Sequence, residues 1–370
     1  MHLNRALSIL VAVLVACLSL RALAQPEPIE ITPAANIQAH FQFWEDTTGE
    51  ALIDQVAALP DERWSLVPNG SANFGLTPSA YWLRFSISNQ AQLNLHLIAE
   101  LGYPQLDDVV FYLYAGGTQV KELKTGDSRP FYPRDVDHPS MLLRLPMAPE
   151  EMKTVYVRVA TAGSMIVPLR LWREQAFFET AAYELKLHFF YYGSMLVIIL
   201  INLAVYLSLR EKLYLYYGLA ISGYLLFFAS INGFSFQHLY PQWPLLHAKA
   251  LLVSIPALAL FSLLFCREFL NTRIHSPRLD KVLIAMMVFE LLFLFSAPFL
   301  DYYTGIQIAS FSALFFFSLL LVAGPVVWLD GVRAGAFFTL AWTPLTIGVL
   351  ATAGRALGVF PENFVTEYAM

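Results

Sequence analysis

The sequence predicts a β-sandwich followed by an all-α polytopic transmembrane bundle. Three observations lead there. The 370 residues are 57% hydrophobic, with a mean hydropathy of +0.54, above the roughly 45–50% apolar content of soluble proteins. The excess lies after Leu187, where six apolar segments follow one another. Residues 25–184 have an ordinary soluble composition and break into short runs of period two, as strands with one buried face do.

The first 24 residues read as a signal peptide. Arg5 gives a positive start, Ala6 to Leu20 an apolar run, and Ala22-Leu23-Ala24 a small-x-small cleavage site, so the mature chain is expected to begin at Gln25. The rival reading is an uncleaved membrane helix, for which the run is short against the ~20 residues a span needs. Leu14-Val15-Ala16-Cys17 also resembles a lipoprotein box. Cleavage removes Arg5 and Arg21 but no acid, taking the formal charge from −5 to −7. That balance offers no basic face to nucleic acid. Of the two cysteines only Cys266 would remain, which excludes a disulfide or a cysteine metal site within one mature chain.

In residues 25–184 the predicted strands include Tyr81–Ile87, Leu93–Leu101, Val109–Tyr114, Met141–Leu145, Val155–Val159 and Ile166–Trp172. Ser88-Asn89, Gly102-Tyr103-Pro104, Gly116-Gly117, Thr125-Gly126-Asp127 and Pro146 punctuate them. Such spacing argues for an antiparallel sandwich. Leu52 to Leu59 reads as one short helix. Arg84 and Arg158 alternate with apolar neighbours, so each points away from a buried face. Asp127 and Arg134 flank a Pro-aromatic loop that an ion pair between them would hold shut. The alternative is a polar platform with aromatic neighbours Trp82, Tyr103 and Tyr132, a surface suited to stacking and hydrogen-bonding a sugar. His40, His96 and His138 lie far apart and show no metal-ligand spacing. No catalytic constellation, metal or cofactor is expected. Asp107 and Asp108 are adjacent strand residues pointing to opposite faces, so they do not act as a pair.

The six apolar segments are Leu187–Leu209, Leu213–Ile231, Leu245–Cys266, Val282–Phe299, Thr304–Leu329 and Ala334–Ala353, each near the ~20 residues that cross hydrocarbon. Gly324-Pro325 predicts a tilt or kink in the fifth. If the N-terminal domain is exported, the first helix runs inward. The inner loops then hold Arg210, Lys212, Arg267, Arg273, Arg278, Lys281 and Arg333, against Lys186, Lys249 and Arg355 on the outer flanks, in agreement with the positive-inside rule. Tyr240, Trp243, Tyr302 and Tyr303 are expected at the outer interface. Polar side chains in a bilayer are costly and often functional. Glu290 lies mid-way along the fourth segment, Asn202 and Tyr206 share a face of the first, and Arg355 ends the sixth. Interhelical hydrogen bonding, or snorkelling for Arg355, competes with a signal-transmitting polar centre. Six crossings that start outside end outside, so residues 355–370 are expected to form an outer-side tail.

YWLRFSISN (Tyr81–Asn89), ELGYPQLDDVVFYLY (Glu100–Tyr114), GDSRPFYPR (Gly126–Arg134) and VYVRVATAGSMIVPLRLW (Val155–Trp172) occur in this order. Together they resemble the type 2 extracellular sensory domain of the seven-transmembrane receptors with diverse intracellular signalling modules. INLAVYLSLREKLYLYYGL (Ile201–Leu219), NGFSFQHLYP (Asn232–Pro241) and LGVFPENFVTEY (Leu357–Tyr368) resemble that family's seven-helix domain. The resemblance implies a jelly-roll-like periplasmic sandwich over residues 25–184 that binds carbohydrates or related ligands, with 185–354 in the bacterial inner membrane. It also implies a seventh helix and then a cytoplasmic effector, such as a diguanylate cyclase, histidine kinase or phosphatase. No Gly-Gly-(Asp/Glu)-Glu-Phe motif, kinase box or phosphatase acids occur in these residues, so a sensory portion without enzyme activity is expected. The candidate ligand-binding residues are Trp82, Arg84, Tyr103, Asp127, Tyr132, Arg134 and Arg158. Expected partners are membrane lipid, a small glycan or other polar envelope ligand, and a second copy or a partner membrane signalling protein. The competing functions are a membrane-anchored carbohydrate-binding module without output, and a transporter or membrane enzyme with a sugar-binding cap. No internal repeat of the transporter kind is visible.

Overall fold

The computed structural model describes residues 37–39, 41–66 and 71–356. The expected signal peptide with Cys17 and Ala24, His40, the Arg355 side chain and the tail from Gly358 to Met370 lie outside the described residues.

The extramembrane domain has eleven described strands: β1 (Ile37–Ala39), β2 (Gln42–Asp46), β3 (Ser65–Leu66), β4 (Ser71–Leu76), β5 (Ala80–Asn89), β6 (Leu95–Leu101), β7 (Asp108–Ala115), β8 (Thr118–Thr125), β9 (Met141–Met147), β10 (Met152–Ala160) and β11 (Ser164–Arg173). They form two antiparallel sheets. The larger runs β3-β2-β5-β10-β7-β8, with β1 on the far half of β5; the smaller runs β4-β11-β6-β9. Alternation in β5 explains the layering. Leu83, Phe85 and Ile87 face inward and meet Phe111 and Val157 of the same sheet and Leu97, Leu143, Val167 and Leu169 of the other. Each such side chain contributes about 1.5–3 kcal/mol on burial.

The six predicted strands are present. β8 was not among them. Its sequence TQVKELKT alternates lysines and a glutamate with few apolar residues, and it lies at an open edge, where lysines discourage pairing with another chain. The expected short helix is the single turn Ile53–Ala57.

Six long helices follow among the described residues: α1 (Glu174–Leu209), α2 (Lys212–Ile231), α3 (Pro244–Leu270), α4 (Pro277–Ser296), α5 (Tyr302–Leu329) and α6 (Arg333–Ala356). Each holds one predicted segment, apart from the last three residues of the fourth, which form a 3-10 turn, Ala297–Phe299. Among the described residues five helices, α1 to α5, are long and apolar enough to cross a membrane. Side chains of α6 are described only to residue 349. α5 continues as helix through Gly324-Pro325. α3 is the most enclosed of the five and packs against α2, α4, α5 and α6. At its C-terminal end Arg267 donates to Asp280 through Nε and Nη2, at 2.7 and 3.1 Å, and Thr272 donates to the same carboxylate. This bidentate pair ties α3 to α4.

Two features join the domains. β11 ends at Arg173 and α1 begins at Glu174, with no linker between them. The loop between β8 and β9 also rests on the outer end of the bundle.

Candidate functional site

Cross-strand register lines up two rows on the outer face of the larger sheet. One is Gln42, Arg84, Tyr156, Tyr112, Glu122; the other is Trp44, Trp82, Arg158, Val110, Lys124. The segment 47–64 lies over them, with Val56 and Trp64 packed on Trp82 and Tyr156. Trp82 is completely buried, and neither its indole N–H nor that of Trp64 finds an acceptor among the described residues.

The two arginines here clamp that segment. Arg84 donates to Gln42 and to Asp61 Oδ1 (2.8 Å), and its guanidinium lies 4.5 Å over the Trp64 ring. Arg158 donates to Asp108 (3.1 Å) and to the Gly49 carbonyl (2.8 Å). Their hydrogen-bonding capacity is thus largely committed inside the protein. Beside the segment a shallow groove of about 600 Å³ is floored by Tyr114, Thr154 and Tyr156 and rimmed by Ala57, Gly117 and Glu151. Tyr114 is half-buried in this groove and Tyr156 buried.

The other four candidates lie elsewhere. Tyr103, Asp127, Tyr132 and Arg134 belong to the loops that meet the bundle. The seven residues therefore form two groups, not one site. The ion pair expected between Asp127 and Arg134 is also replaced. Arg134 Nη1 donates to the carbonyls of His138 (3.0 Å) and Pro139 (2.8 Å), and its guanidinium lies 4.0 Å over Phe131. The loop curls back on itself, so its carbonyls are the nearer acceptors. Burial lowers the Arg134 pKa to about 10, against the opposing pull of Asp127 and Asp137.

This junction is a built interface. The Phe131 N–H donates to the Pro241 carbonyl at 2.7 Å, and the Phe131 ring packs edge-on against Phe236 at 5.6 Å. Gln105 Nε2 donates to the carbonyls of Ser230 (2.8 Å) and Ile231 (3.2 Å), closing the outer end of α2. Gln237 donates to Asp137 at 2.8 Å. Gly233, at φ +76°, fits between Pro104 and Pro139, each 3.1 Å from where a side chain would begin. Tyr240, expected at the membrane interface, is instead buried in this contact, whereas Trp243 and Tyr303 are exposed.

Asp127 is buried at the centre, beside Asp107. Burial pushes its pKa well above the ordinary carboxyl value, the Asp107 charge and hydrogen bond push it further, and Arg134 opposes both. Asp107 in turn accepts from Thr161 Oγ1 (3.2 Å) and the Ala162 N–H. Asp108 faces the opposite way and pairs with Arg129 and Arg158. The two adjacent acids have separate partners, although Asp107 lies in the bend just before β7 and not in the strand itself as expected. What the sequence did not reveal is that Asp107 has a different acidic partner. The turn signal at Gly126 was the available clue.

Inside the bundle Glu290 is fully buried. Its Oε1 accepts from Ser312 of α5 at 2.5 Å, and its Oε2 has no partner among the described residues. Asn202 donates to the Ile198 carbonyl of its own helix. Asn202 and Tyr206 are both half-buried, and no described contact links either to Glu290.

Residues 38–173 match the family model described as 7TMR-DISM extracellular 2, and residues 184–370 match the one described as 7TM diverse intracellular signalling. No curated protein is similar enough to the chain to count as a match.

Proposed function

The chain belongs to the family of seven-transmembrane proteins with diverse intracellular signalling, and from that membership we propose that it is the sensory input portion of a bacterial receptor. In this reading the sandwich is periplasmic and the helices lie in the inner membrane. The ligand is a small glycan or a similar polar envelope compound, met at the aromatic face around Tyr114 and Tyr156. The chain itself performs no catalysis. Output passes to a cytoplasmic effector, either beyond these residues or on a partner membrane protein.

The observation that carries the reading is the double connection between domains: an uninterrupted β11–α1 and a docked loop bonded at Phe131, Gln105 and Asp137. A module merely tethered to the membrane needs neither. The test uses the full chain in lipid nanodiscs, screened with saccharides by thermal shift. Hydrogen exchange is then followed at the Phe131 amide. A receptor is expected to change protection there when a ligand binds. Binding that leaves every junction amide unchanged would favour the anchored module instead.

A further inference from the structure

The junction contains more than docking requires. Asp127 is 7% exposed and lies against the half-buried Asp107, so two acids sit side by side at the junction. Gly126 makes this possible: its φ is +132°, and a side chain there would collide with the Asp107 carbonyl. From the bundle, His247 is 1% exposed and brings Nε2 to 3.9 Å from Asp127 Oδ2, while its Nδ1 has no partner among the described residues. The other charged and titratable groups at the junction come from several elements. Tyr103 comes from the β6–β7 connection and Tyr302 from α5. Arg134 spends Nη1 on two carbonyls while its Nε has no partner among the described residues, and the neighbouring His138 and Asp137 interact with it. Lys249 donates to the Leu300 carbonyl.

We propose that Asp107, Asp127 and His247 form a proton-dependent latch, which holds the sandwich on the bundle while Asp127 carries a proton and lets it go when that proton is lost to solvent. The latch rests on the receptor reading for its consequence, because it makes extracytoplasmic pH a second input. The docking itself is measurable without any ligand.

The sign follows from where the charge would sit. Ionising Asp127 in place puts a second negative charge beside Asp107 in a desolvated pocket, which is strongly unfavourable. Undocking returns the group to water and toward its ordinary pKa of 3.8. A carboxyl whose pKa is raised in the docked form stabilises docking fully below the free value. That contribution is lost as pH rises through the docked value.

Phe131 supplies the readout, because its amide bond to Pro241 crosses the junction. Hydrogen exchange is measured on the full chain in nanodiscs from acid to alkaline pH, with the intrinsic pH dependence of exchange divided out. Protection at Phe131 is expected to fall by up to about tenfold per pH unit between the free value of 3.8 and the docked pKa, and to level off above it. Val157, in the sandwich core, is expected to keep its protection. Asp127→Asn has no proton to lose and is expected to remove the fall above pH 6.5, leaving only the acid-side change that belongs to His138. Asp107→Asn, which removes the neighbouring charge, is expected to shrink the fall. It serves as the deciding variant if Asp127→Asn disturbs Val157. A flat wild-type profile overturns the latch, as does a fall of the same size in the variants. If a ligand still changes Phe131 protection while pH does not, the latch fails and the receptor reading stands.

Discussion

At the scale of single residues, Asp46 organises the segment that covers the aromatic face. It is 2% exposed, and its carboxylate accepts from Thr48 N, Thr48 Oγ1, Gly49 N and Ala51 N at 2.6 to 3.1 Å. Burial raises its pKa, but these bonds outweigh burial and hold it below 3.8. Its contribution is therefore present above 3.8 and lost as pH falls through the lowered value. Asp46→Ala is expected to destabilise the sandwich by about 2–3 kcal/mol, the worth of bonds to a charged acceptor, read from urea unfolding followed by Trp64 and Trp82 fluorescence. His138 gives the acid-side counterpart. Burial, then the nearby Arg134, lowers its pKa from 6.5 to about 4, and its Nδ1 accepts from the Ser140 N–H at 3.1 Å. Its stabilising effect is complete above 6.5 and declines as pH falls toward 4. Exchange at the Ser140 amide is expected to accelerate over that interval, beyond its intrinsic pH dependence. Constant protection down to pH 4 would contradict the assignment.

Helices and strands differ in how far the sequence foretold them. The apolar segments fix the helices closely, because hydrocarbon thickness imposes both length and composition. What escaped was the start of α1, which begins at Glu174, ahead of Leu187, since its first turns carry ordinary soluble residues. Strands with one buried face, such as β5, were legible by alternation. β8 was not, because Leu123 is its one apolar residue packed on the core. Helix–helix contacts were also invisible. Gly223 of α2 lies so close to α3 that a Cβ would be 2.8 Å from Leu258 Cα, the close backbone approach that small residues permit in membranes. Gly223→Val is expected to cost about 1–3 kcal/mol by overpacking and to lower the thermal midpoint of the solubilised protein. Gly193→Val, at a position with nothing within 4 Å, is the matched control and is expected to be near neutral.

Across the whole molecule, the junction draws on residues 103–107, 127–139, 230–247 and 302, which no local pattern connects. That is why Tyr103, Asp127 and Arg134 were recognised as notable while their location was not. The sandwich core does not depend on the bundle, since its largest cluster uses residues of the sandwich alone. A fragment ending near residue 184 is expected to give a β-dominated far-UV spectrum; a helix-dominated one would refute that independence. The absence of a linker at Arg173–Glu174 has a mechanical meaning. α1 has 36 residues, so it is a rod about 54 Å long clamped to the sandwich at one end. Tilting the sandwich by about 5° would swing the far end of such a rod by about 5 Å, roughly half a helix diameter at the opposite membrane surface. Two glycines inserted after Arg173 would turn the clamp into a pivot, and the sandwich could then rock without displacing the inner end of the helix.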